Sequence, residues 1–81
     1  MQVVVYLADW CGPSKMIKGA LSRANIKYEA IDIEEDPTKA SNNNIKGLPT
    51  TLILDNNNKE VERLIGFSEE VITKIKGYVH E

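Results

Sequence analysis

Cys11, the only cysteine in 81 residues, carries the sharpest chemistry in this chain. It stands in the stretch Trp10-Cys11-Gly12-Pro13-Ser14-Lys15, after the apolar run Val3-Val4-Val5-Tyr6-Leu7 and ahead of a segment with helical spacing. The thiol is therefore expected at a strand-to-helix junction. At a helix N-terminus the unpaired backbone N–H groups and the positive end of the macrodipole favour an anion. They favour thiolate over thiol, and thiolate is the form that attacks a disulfide. Gly12 and Pro13 suit the turn: glycine accepts unusual dihedrals, and proline gives up an N–H that has no intrahelical partner in the first turn. Asp9 and Lys15 are candidate tuners of the thiol by charge. Trp10, beside a reactive sulfur, reads as a surface platform for partners.

The elements that must position this stretch follow in order. Val3–Leu7 is a continuous apolar run, as expected of a strand buried on both faces in mid-sheet. Met16, Ile17, Ala20, Leu21 and Ala24 share one helical face, and Asn25 is a plausible stop. Lys27–Ile33 reads as a second strand, completing a unit of βαβ length. Asp36-Pro37 is an N-cap with proline at the first helical position, opening a short helix to about Asn43. Thr50–Leu54 and Lys59–Ile65 flank Asp55-Asn56-Asn57-Asn58, the pattern of a β-hairpin. Ser68 caps a last helix with Glu69 and Glu70 in its first turn and Val71, Ile72, Ile75 and Val79 facing inward. The expected order is β-α-β-α-β-β-α. Tyr28, Phe67 and Tyr78 read as packing residues.

Composition excludes several functions. With 12 acidic and 10 basic residues the formal net charge is -2, and no Lys/Arg cluster forms a footprint for nucleic acid. No stretch approaches the length of a membrane span, and Met1-Gln2 carries no positive leader, so cytoplasm is the default. One cysteine cannot build an internal disulfide framework. His80 has no second ligand at metal spacing, so no metal site is expected. With 42% hydrophobic residues the chain reads as one globular domain over 1–81, a monomer for want of an apolar patch or heptad.

The hexapeptide resembles the thioredoxin active site, Trp-Cys-Gly-Pro-Cys-Lys, at every position except Ser14, which stands where the second cysteine would be. The element order is similar to the minimal core of thioredoxins and glutaredoxins, so the resemblance spans the whole chain. It implies an α/β thioredoxin-like fold, a four-stranded mixed sheet with three flanking helices. Gly47-Leu48-Pro49-Thr50 resembles the family's Gly-Ile-Pro-Thr, whose proline is cis and faces the active-site cysteine. The resemblance implies that Leu48 offers backbone N–H and C=O to an extended substrate, and that Trp10, Gly12, Pro13, Pro49 and Gly66 line the same surface. It also implies a thiol-disulfide oxidoreductase, with Cys11 as nucleophile and Ser14 at the position of the resolving thiol. Disulfide-bearing proteins are the implied substrates and thioredoxin reductase or an equivalent the implied reductant, with no cofactor.

Ser14 has two readings: a cysteine-to-serine replacement of the kind made to trap a mixed disulfide, or a natural monothiol redoxin. Trp10, Pro13 and Lys15 are those of the dithiol thioredoxin form and favour the replacement. The alternatives are a monothiol glutaredoxin-like protein acting on glutathione adducts or an iron-sulfur cluster, and a redox-inert adaptor. Glutathione is disfavoured because Glu69 and Glu70, after Gly66-Phe67-Ser68, would repel its carboxylate. The sequence departs from the family at Val5, where thioredoxins carry a buried aspartate, and at Ala30, where its lysine partner would lie. It also lacks the extra N-terminal strand and helix of full-length thioredoxins.

Overall fold

The first strand, β1 (Gln2–Leu7), is the spine of the molecule. The computed structural model describes residues 1–80, and in it every residue from Val3 to Leu7 is buried. Burying an aliphatic side chain of this size is worth roughly 1.5–3 kcal/mol, so this one strand holds a large share of the core energy. It can be apolar throughout because it lies inside the sheet, between β2 (Glu29–Asp32) and β3 (Thr50–Leu54) in the strand order β2-β1-β3-β4 with β4 (Glu60–Ile65) at the edge, and both faces are covered.

The other elements are α1 (Gly12–Arg23), β2 (Glu29–Asp32), α2 (Pro37–Asn42), β3 (Thr50–Leu54), β4 (Glu60–Ile65) and α3 (Glu69–Val79). The order is the one expected from the sequence. β1 pairs with β2 in parallel and with β3 antiparallel, and β3 pairs antiparallel with β4. On one face Val3, Val5 and Leu7 pack with Ile17 and Leu21 of α1, Val71 and Ile75 of α3, Ile53 and Leu64. On the other, Val4, Tyr6, Ile31 and Leu52 form a smaller cluster beneath Ala40 of α2.

Local chemistry sets the boundaries. Asp36 accepts the Lys39 N–H at 3.1 Å and Ser68 the Val71 N–H at 3.2 Å, each satisfying a donor with no intrahelical partner. Asn25, Asn44 and Asn58 have φ of 57°, 55° and 62° and end α1, α2 and the hairpin turn, as suits a residue whose short side chain tolerates the left-handed region. In the hairpin the Asp55 carboxylate accepts the N–H groups of Asn57 and Lys59 at 2.8 and 3.0 Å.

Two expectations need correction. β2 is shorter than Lys27–Ile33: its parallel register with β1 runs from Val4 opposite Glu29 to Leu7 opposite Asp32. Met16 is 56% exposed instead of inward, because Ser14, Ile17 and Leu21 occupy the buried stripe of α1.

Candidate active site

The chain leaves β1 at Leu7, turns through Ala8-Asp9-Trp10 and enters α1 with Cys11 as its N-cap. The Cys11 backbone is extended (φ -95°, ψ 116°), its N–H donates to Ala8 O at 3.1 Å, and its carbonyl accepts the Lys15 N–H at 3.3 Å. The turn is thus closed by backbone, and the sulfur makes no capping bond. With no acidic residue in the first turn of α1, the helix N-terminus faces the sulfur without a competing carboxylate.

From the other side comes the segment before β3. The Leu48–Pro49 peptide is cis, as the resemblance implied, and the partly exposed Cys11 sulfur donates to Leu48 O at 3.9 Å, a weak S–H contact. Hydrogen bonds brace this segment on both sides. The Thr50 hydroxyl donates to Gly47 O at 2.7 Å, and the Gly66 N–H donates to Pro49 O at 2.7 Å. Gly66 has φ +88°, which an L-residue adopts only with strain. Upstream, Arg63 of β4 donates to the carbonyls of Asn43 and Asn44 at 2.8 and 3.0 Å while pairing with Glu60. The loop carrying Leu48 is therefore tied at Asn43 and Asn44 to β4 and at Pro49 to Gly66, the residue that follows it.

The residues named from sequence fall into four groups. Cys11, Leu48, Pro49 and Gly66 come together, Pro49 fully buried and the other three partly accessible. Trp10 stands 67% exposed beside the thiol, and Gly12 and Pro13 are exposed at the start of α1. Ser14, in the first turn of α1, points inward: it is 1% exposed and its hydroxyl accepts the Ala8 N–H at 3.3 Å. Asp9 and Lys15 are exposed, and neither enters an ion pair among the described residues.

Sequence reading passed over one neighbour. Ile65, 62% exposed, pairs with Thr50 and projects toward Gly47, where an added Cβ would come within 3.0 Å of its Cγ2. Strand alternation gives the signal: Leu64 points into the core, so Ile65 is an apolar residue turned outward just before the constrained glycine. Behind the site, Val5 pairs with Ala30 on one side and Thr51 on the other. The buried side chains of the polar residue types there and elsewhere are Ser14, Thr50 and Thr51, all hydroxyls, so no carboxylate is buried among the described residues.

A family model described as Thioredoxin matches residues 1–77. The chain belongs to the thioredoxin family. It is 31% identical over 65 residues to the SPbeta prophage-derived thioredoxin-like protein YosR of Bacillus subtilis, covering 80% of this chain and 81% of that one. Thioredoxin of Staphylococcus aureus is 33% identical over 73 residues, covering 83% of this chain and 69% of its own. Among solved structures, thioredoxin 1 of Thermosipho africanus superposes with a TM-score of 0.73 at 28% identity, covering 99% of this chain and 96% of that one. The sheet, helices and connectivity described above are thus a thioredoxin-like fold. Membership carries a thioredoxin-like redox function, in the class of thiol-disulfide oxidoreductases. No helix among the described residues is long and apolar enough to cross a membrane.

Proposed function

We propose that this chain reduces protein disulfides through Cys11 and, with serine at position 14, stops at the mixed disulfide. The observation that carries the proposal is the opposition of the Cys11 sulfur, at the N-cap of α1, to the Leu48 carbonyl beside a cis proline. An extended substrate lies along Leu48 and pairs with its backbone as an added strand, with Trp10, Ile65 and Gly66 beside it. Cys11 thiolate attacks one sulfur of the substrate disulfide. A Cys11–substrate S–S bond forms, the original S–S bond breaks, and the departing sulfur leaves as a thiolate that takes a proton. The start of α1 brings its unpaired N–H groups to the sulfur's end of the helix, with Asp9 and Lys15 as outlying charges.

The second step needs another thiolate within reach. At position 14 a cysteine would displace the substrate at high effective concentration. A serine hydroxyl is too weak an acid to supply the anion at neutral pH, and its oxygen makes no stable bond to sulfur. Ser14 is also occupied, since its oxygen accepts the Ala8 N–H. Release then requires an external thiol or a second cysteine of the substrate. Ser14 as the replacement of a natural cysteine is the reading that fits the dithiol character of Trp10, Pro13 and Lys15. The reductant of the complete site is thioredoxin reductase or an equivalent protein. Glu69 and Glu70, in the first turn of α3, put negative charge where a glutathione carboxylate would need the helix N-terminus.

The test is disulfide reduction with thioredoxin reductase and NADPH, comparing this chain with Ser14→Cys. The expected result is sustained turnover only in the Ser14→Cys protein. Equal turnover of the unaltered chain with glutathione alone would replace this proposal with the monothiol one.

A further inference from the structure

The segment Lys46–Pro49 belongs to no helix or strand, yet it carries the carbonyl that meets the Cys11 sulfur. Its precision must come from hydrogen bonds outside any helix or strand ladder. Along it the Gly47 carbonyl accepts the Thr50 hydroxyl at 2.7 Å, the Leu48 carbonyl accepts the Cys11 sulfur at 3.9 Å, and the Pro49 carbonyl accepts the Gly66 N–H at 2.7 Å. The central contact is the weakest, and the two that flank it are short. Pro49 has no N–H to add a further tie.

The two flanking bonds differ in kind. That from Gly66 is backbone to backbone and survives most side-chain changes. Of these two, that from Thr50 is the one that depends on a side chain, and the chain invests a buried hydroxyl in it: Thr50 is 1% exposed. Its own position is rigid, because the residue pairs with Tyr6 of β1 on one side and Ile65 of β4 on the other. A hydroxyl fixed to the sheet thus holds the peptide immediately before Leu48.

We infer that Thr50 is a positioning residue for substrate capture: through the Gly47 carbonyl it aims the Leu48 backbone at the extended chain of a disulfide substrate beside Cys11. The inference rests on the thiol exchange proposed above. It does not require Thr50 to touch substrate. A small disulfide with no peptide backbone needs only the sulfur, whereas a peptide disulfide also needs Leu48 in register. Loss of the tie therefore lowers the advantage of a peptide over a small disulfide.

The experiment measures the rate constant for Cys11 adduct formation with a disulfide-linked hexapeptide and with hydroxyethyl disulfide, in the unaltered chain, Thr50→Val and Thr50→Ser. Valine keeps the branched shape and removes the hydroxyl, and serine keeps the hydroxyl. The expected result is a drop of about fivefold in the peptide-to-small-disulfide ratio for Thr50→Val, the weight of about one hydrogen bond, with the ratio restored in Thr50→Ser. An unchanged ratio in Thr50→Val overturns the inference, and so does a lowered ratio that Thr50→Ser fails to restore. Thr50→Ala carries the same comparison if valine is not accommodated. An unaltered chain that forms no adduct with either disulfide refutes the thiol exchange itself, and the inference with it.

Discussion

Thr51 offers a stability prediction that runs against the usual direction of core substitutions. It lies in β3 opposite Val5 of β1 and Leu64 of β4, both members of the larger core cluster, and residues opposed in register share a face of the sheet. Thr51 is 0% exposed, and its hydroxyl oxygen has no hydrogen-bond partner. Thr51→Val exchanges that hydroxyl for a methyl of similar shape and keeps the β-branching that suits a strand. A buried hydroxyl without a partner costs about 1–3 kcal/mol, so the substitution is expected to stabilise the fold by about 1 kcal/mol. In a domain of this size that gain raises Tm by about 4–8 °C. Urea unfolding gives the sharper reading: the midpoint should rise while the slope stays constant, because the surface exposed on unfolding hardly changes. Destabilisation by more than about 0.5 kcal/mol would refute the reasoning, because it would mean that the hydroxyl makes a bond worth keeping.

Two further outcomes follow from the same physics. Hydrogen bonds hold the carboxyl groups of Glu60 and Glu62 below the usual range, the donors being Arg63 for Glu60 and Tyr78 ahead of Lys74 for Glu62. A carboxyl depressed in the folded state contributes stability above its unfolded value, near 4.3, and loses it as pH falls through the folded one. Tm should therefore fall between pH 5 and pH 3, and fall less in Tyr78→Phe; parallel profiles for the two proteins would remove Tyr78 from the account. Gly66→Ala should cost about 1–2 kcal/mol by urea midpoint, a purely conformational penalty, because φ is +88° while an added Cβ meets nothing within 4 Å. An alanine protein as stable as the parent would show that this backbone relaxes freely.

The order of elements was legible because each boundary carries its own chemistry. Asp36 and Ser68 accept the donors of the helices they open, and Asn25, Asn44 and Asn58 take the left-handed conformations that end the preceding segments. Val3–Leu7 declared a central strand by lacking any polar alternation. The site was legible where a short motif fixes local geometry, at Cys11 and at Leu48-Pro49. What escaped depends on contacts between distant segments. The inward turn of Ser14 displaces Met16 from the core stripe, and threonine types alone do not reveal that Thr50 and Thr51 are buried. They are buried in a strand that lies inside the sheet between β1 and β4, and pairing with β4 also sets Ile65 beside Gly47. The exposed charges Asp9 and Lys15 illustrate the opposite limit, for neighbours in sequence need not become partners in space.

The account's central claim is that Cys11 captures substrate and that position 14 decides its release, which intact-protein mass spectrometry reads directly. The chain is mixed with a disulfide-linked peptide, sampled over time, and compared with Ser14→Cys and Cys11→Ala. The account predicts a single peptide adduct at Cys11 that persists in the unaltered chain, a transient adduct giving way to an internal disulfide in Ser14→Cys, and none in Cys11→Ala. An adduct that clears from the unaltered chain as fast as from Ser14→Cys, or one that still forms in Cys11→Ala, would contradict it.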